Sequence, residues 1–84
     1  MEDAIKAWKV SVIFFGPLRE HIGNERVELS VFTETTIQDI IEQFNLGKWV
    51  KNGLNVAIDG NMCTYDSMLH DGAEIALLPP VSGG

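Results

Sequence analysis

The chain is poor in the residue types from which most active sites are assembled. Its 84 residues include one cysteine, Cys63, and two histidines, His21 and His70. A lone cysteine forms no internal disulfide and is not half of a redox or zinc motif. Met62 and Thr64 beside it offer neither the base nor the positive charge that activates a thiol, so a partly buried structural thiol is expected. A reducing setting, the cytoplasm, follows as the simpler reading. The histidines lie in unrelated polar contexts with no metal-ligand spacing and read as surface residues. No glycine-rich nucleotide loop is present. No run of about 18 apolar residues is present to span a membrane. Met1 to Ala7 carries Glu2 and Asp3 and has no apolar centre, unlike a signal peptide. Cations are scarce, 6 Lys plus Arg against 12 Asp plus Glu, for a net charge of −6. That balance argues against nucleic acid and anionic membranes as partners and favours a partner with a basic groove. A chain this short makes one small domain and buries only about 60–65% of the surface of its unfolded form. Little material is left for a deep enclosed site.

What is present is an ordered series of strand and helix signals. Trp8–Phe15 is rich in Val, Ile and Phe and stops at Gly16-Pro17. Pro17 can open a short helical turn through Ile22, closed by Gly23-Asn24. Glu25–Phe32 alternates, with Val27, Leu29 and Val31 apolar, as a half-buried strand does. The short gap between these strands predicts an antiparallel pair. Thr35 or Thr36, followed by Gln38 or Asp39, resembles a capping box. Ile37, Ile40, Ile41 and Phe44 then form one helical face, and Gly47 marks its exit. Lys48–Gly53 is ambiguous, a possible helical turn with Trp49 and Val50 inward. Leu54, Val56 and Ile58 alternate into the tight-turn pair Asp59-Gly60. Met62–Tyr65 returns as a short strand, Asp71-Gly72 turns again, and Glu74–Leu78 ends before Pro79-Pro80. The expected fold is α+β, a β-grasp: a mixed sheet of about five strands with one main helix on one face. Its first and last strands lie parallel at the centre. The expected boundaries are a mobile extension at 1–7, a body at 8–78 and an extended tail at 79–84.

Two features stand apart from solvated charge such as Glu25 and Glu28. On the outer face of the first strand, Lys9, Ser11, Ile13 and Phe15 turn from polar to apolar. On the last strand Glu74, Ala76 and Leu78 do the same. Parallel neighbours would bring Ile13, Phe15 and Leu78, with Met62, to one apolar end, where an exposed patch marks a binding surface. The second feature is the ending Pro79-Pro80-Val81-Ser82-Gly83-Gly84. The prolines stiffen the exit, and six extended residues reach roughly 20 Å. The last two lack side chains and can thread a narrow channel. Their carboxylate is inert until activated, for instance as an acyl-adenylate.

The ending "LLPPVSGG" at 77–84, after "DGAEIA" at 71–76, resembles that of the MoaD-type sulfur carriers, the family of molybdopterin synthase small subunits. "VIFFGPLRE" at 12–20 is similar to that family's opening strand and helix, and "TIQDII" and "VAIDG" follow in the family's order. The resemblance spans about Trp8 to Gly84 and implies a ubiquitin-like fold and a role as sulfur carrier, not as an enzyme on its own. It implies that Gly84 is adenylated by an ATP-using enzyme of the MoeB or ubiquitin-activating type. A sulfur donor protein would then convert it to a thiocarboxylate. It places Pro79, Pro80, Val81, Ser82 and Gly83 in the channel of a MoaE-type large subunit, in a heterotetramer. It matches Phe15, Met62 and Leu78 to the family's docking surface, to which the strand pattern adds Ile13, and implies no metal and no permanently bound cofactor. Arg19 falls in the family's "RE" pair, where a structural or partner salt bridge fits. Leu77-Leu78 stands where relatives often carry aromatics. Two alternatives share the ending: a ubiquitin-like modifier conjugated through Gly84 to lysines, and a sulfur carrier for thiazole synthesis. The Pro-Pro-Val-Ser spacer argues against the second.

Overall fold

The computed structural model describes residues 7–80. Five strands and three short helices follow one another in the order β1 (Ala7–Phe14), α1 (Pro17–Ile22), β2 (Arg26–Phe32), α2 (Ile37–Gln43), α3 (Gly47–Lys51), β3 (Asn55–Ile58), β4 (Asn61–Cys63) and β5 (Glu74–Leu78). The strands form one mixed sheet in the order β2-β1-β5-β3-β4. β1 pairs antiparallel with β2 and parallel with β5, so the two ends of the domain meet inside the sheet. This is the β-grasp arrangement expected from the order of elements. β1 begins at Ala7, one residue before the expected edge of the body.

The period-two pattern decides which side chains face the helices. Val10, Val12 and Phe14 from β1, and Ile75 and Leu77 from β5, are buried on one face. α2 lays Ile37, Ile40 and Ile41 on them, and Phe44 meets Phe14 edge-on at 5.1 Å between ring centroids. Leu18 of α1 and Leu46 before α3 complete the core. Truncating a buried side chain such as Ile40 to alanine costs about 2–5 kcal/mol, since the cavity adds to the lost transfer energy.

Local signals set the element ends. Thr36 caps α2: its side chain accepts from the Asp39 N–H, and the Asp39 carboxylate accepts from the Thr36 N–H. The expected exit at Gly47 is corrected. α2 ends at Gln43 with Phe44 as its C-cap, Asn45 follows with φ of 60°, and Gly47 instead opens α3. Asparagine tolerates this left-handed conformation because its short amide can bond locally. Residues 48–51 of the ambiguous segment belong to that helix, with Trp49 and Val50 half-buried, and Asn52-Gly53 turn out of it. The Asp59-Gly60 turn has positive φ at both residues, which matches the right-handed twist of its hairpin. The return strand is Asn61–Cys63, shorter than expected and starting one residue earlier.

Candidate functional site

The face of the sheet away from the helices is divided along its strands. Its polar part is Ser11 and Glu74, to which Arg26 of β2, opposite Ile13, turns its side chain. Arg26 donates to Glu74 Oε2 at 3.2 Å and to Ser11 Oγ at 3.0 Å. One step further along, register aligns Ile13 with Ala76, Ala76 with Ala57, and Ala57 with Met62 across four neighbouring strands. Two alanines keep the middle of this row low. Met62 at its end is 63% exposed, so it projects instead of packing.

Beyond that row, Leu78 pairs in register with Asn55, and Phe15 continues β1 by donating its N–H to the Leu77 carbonyl at 3.3 Å. Phe15 is 42% exposed. Together with Gly16, Pro17, Pro79 and Pro80 these residues line a groove of about 520 Å³. Apart from Asn55, no side chain in it carries a polar group.

The groove lies at the root of the tail. Gly16 has φ +56°, and a Cβ there would sit 3.6 Å from Pro79 Cγ. Gly53 has φ +95°, and a Cβ there would sit 4.0 Å from Pro80 Cβ. Two loops in conformations that favour glycine thus flank the two prolines, and Pro79 is half-buried.

Ile13, Phe15, Met62 and Leu78 lie on one face, at the end where β5 runs out into Pro79-Pro80. The other tail residues named from sequence, Val81, Ser82, Gly83 and Gly84, lie outside the described residues, as do residues 1–6. Arg19 pairs with Glu25 at 3.8 Å, both side chains exposed. Cys63 is half-buried and forms no disulfide among the described residues. Sequence reasoning missed Ala57, Asn55 and the glycines behind the prolines. Residues 54–58 alternate, which puts Asn55 and Ala57 opposite the apolar set, but their neighbours follow only from strand order. It also missed two further exposed apolar residues. Phe32 faces Ala7 at the far end of β1, and Met68 bridges Thr36.

His70 is exposed, as expected, but not idle. Its Nε2 lies 2.6 Å from Asp59 Oδ2, and its Nδ1 lies 2.9 Å from the Asp71 carbonyl. The Asp71 carbonyl and then Asp59 raise its pKa above the ordinary value. The Glu74 N–H, then His70, lowers that of Asp59. Near β3, the Tyr65 hydroxyl donates to the Leu54 carbonyl, and burial raises the phenol's pKa. Among the described residues, no group of three or more His, Cys, Asp or Glu is placed to hold a metal. No described helix is long and apolar enough to cross a membrane.

Comparison with known proteins gives this geometry a context. A Haemophilus influenzae protein named molybdopterin synthase sulfur carrier subunit is 33% identical over 81 residues, 89% of this chain and 99% of that relative. The complex of subunits 1 and 2 of the Helicobacter pylori molybdopterin-converting factor contains a similar chain, at TM-score 0.63 and 27% identity. The match covers 90% of this chain and 99% of that one. Small archaeal modifier protein 1 of Methanosarcina acetivorans is also similar, at TM-score 0.70 and 29% identity over 94% of this chain and 99% of its own. The sequence model of the ThiS family matches residues 12–84, from the middle of β1 to the last glycine, and this chain belongs to the ThiS family.

Proposed function

We propose that this protein is the sulfur carrier subunit of a molybdopterin synthase, with the carboxyl of Gly84 as the sulfur-bearing group. The observation that carries the reading is the apolar sheet end of Ile13, Phe15, Met62 and Leu78, which runs directly into the flanked prolines of the tail root. A surface that docks a partner beside the start of a stiff, narrow arm turns delivery of the arm's end into an intramolecular event. Relatives named as sulfur carrier subunits support the assignment.

In this reading the Gly84 carboxylate attacks the α-phosphate of ATP on an adenylyltransferase, forming an acyl-adenylate and releasing pyrophosphate. A persulfide on a sulfur donor protein attacks the adenylate through its outer sulfur and displaces AMP. A thiol then cleaves the resulting acyl disulfide, leaving the thiocarboxylate on Gly84 and a disulfide on the donor side. The body then docks on the large synthase subunit and Val81–Gly84 enter its channel. The thiocarboxylate sulfur displaces an oxygen substituent of the pterin precursor to form a thioester, and water cleaves that thioester, leaving the sulfur on the pterin and a carboxylate on Gly84. In this reading the catalytic base and the pterin pocket belong to the partner. The Helicobacter pylori complex supports a large-subunit partner. A heterotetramer of two large and two small subunits, no bound cofactor of the chain's own and a cytoplasmic setting complete the proposal.

Phe15→Ala or Leu78→Lys tests the docking half. Either substitution should weaken binding to the large subunit while the protein stays folded, as read by calorimetry and circular dichroism. Unchanged affinity in both variants contradicts the reading.

A further inference from the structure

Asn55 is the one polar side chain in an otherwise apolar groove, lined by Phe15, Pro17, Leu78, Pro79 and Pro80. It stands opposite Leu78 in the β3–β5 register, on the face away from the core. It also lines a neighbouring hollow of about 280 Å³, bounded by Leu54, Val56, Cys63, Thr64 and Tyr65. β4 pairing starts only at Val56, opposite Cys63, so the sheet has a notch beside Asn55. Asn55 therefore sits where two concavities meet, next to the tail root. Its exposed amide has two N–H donors and one carbonyl acceptor.

A surface that docks by apolar contact alone gains nothing from an amide at its centre. When a partner covers the groove, water is stripped from Asn55. An amide left without partners then opposes binding, whereas a paired one favours it. We propose that Asn55 selects the partner. Its amide pairs with the main chain of an extended segment of the large subunit, and an apolar side chain of that segment fills the groove against Phe15 and Leu78. This rests on the docking reading above and adds its specificity determinant. A main-chain segment fits because it presents both an N–H and a C=O to one amide. The apolar walls give fit without direction, and the amide fixes the register of the segment across them.

The sign of one substitution decides the matter. Titration calorimetry of the full chain against the large subunit compares wild type, Asn55→Leu, Asn55→Ala and Phe15→Ala, with each variant's Tm measured alongside. Asn55→Leu removes the amide while keeping bulk, and Asn55→Ala removes it without adding any atom that clashes. The proposal expects both to bind at least about three- to tenfold more weakly, the range of one neutral hydrogen bond. It expects Tm to stay near wild type. Should Asn55→Leu unfold the domain, Asn55→Ala carries the comparison, with Asn55→Ser beside it. Equal or tighter binding by the Asn55 variants, with Phe15→Ala still weakened, overturns the proposal and leaves the docking reading intact. Unchanged binding by Phe15→Ala overturns the docking reading itself, and the Asn55 proposal with it.

Discussion

His70 Nε2 lies 2.6 Å from Asp59 Oδ2, and that contact ties the β3–β4 turn to the loop before β5. Asp59 also accepts the Glu74 N–H at 3.0 Å and donates its own N–H to the Glu74 carbonyl at 2.8 Å. Both His70 nitrogens face oxygen acceptors, so the protonated ring suits the site. The folded pKa of His70 is raised, so its contribution is whole below the ordinary 6.5 and is lost as pH rises through the folded value. The folded pKa of Asp59 is depressed, so its contribution is whole above the ordinary 3.8 and is lost as pH falls through the folded value. The Tm difference between wild type and His70→Gln should therefore peak between those limits and shrink on either side. A pH-independent difference in thermal melts would contradict the assignment.

Gly16 has φ +56° and ψ −136°, a conformation open almost only to glycine. Gly16→Ala should destabilise the domain by about 1–3 kcal/mol through backbone strain. Its new Cβ would meet Pro79 Cγ at an ordinary 3.6 Å, so the loss is conformational rather than a clash. Urea unfolding measures it, and an unchanged midpoint with an unchanged slope would count against strain at this loop.

Removal of the cap on α2 has a separate signature. Thr36→Ala takes away the acceptor for the Asp39 N–H and should cost about 0.5–2 kcal/mol. Thr36→Ser should recover most of it, as followed by the same unfolding curves. The site lies away from the tail root, so binding to the large subunit by the folded variant should match wild type.

These elements differ in how well the sequence discloses them. The Thr36–Asp39 cap is a local pattern and can be read directly, as can the apolar stripe Ile37, Ile40, Ile41 and the Asp59-Gly60 turn. The apolar end was legible because parallel β1 and β5 each turn from polar to apolar in the same direction. The end of α2 at Gln43, before the left-handed Asn45, was not legible. Gly47 is the stronger stop signal in general, and only the packing of Leu46 into the core shifts the break upstream. The Asp59–His70 pair, the low Ala57–Ala76 centre and the junction at Asn55 depend on which strands are neighbours. Residues far apart in sequence meet there through the register of β3 against β5 and β4, which no local pattern encodes.

Charge should contribute little to docking itself. The groove at the tail root has no charged residue in its lining, and the acidic side chains Glu28, Asp39 and Glu42 lie on other elements. Affinity for the large subunit should change by no more than about twofold between low and physiological salt, and association should slow by no more than that. Met62→Glu should weaken binding at either salt concentration by placing a charge in the apolar row. A steep loss of wild-type affinity with salt would show that charge, and not the apolar end, drives the contact.

Sulfur on Gly84 is the step on which the proposed function stands. Intact-protein mass spectrometry after incubation with an adenylyltransferase, ATP and a sulfur donor reads it directly. The expected result is a mass gain equal to one oxygen replaced by one sulfur, located in the C-terminal fragment and lost when Gly84 is deleted. An unchanged mass under conditions that convert a known sulfur carrier, or a gain that survives deletion of Gly84, would contradict it.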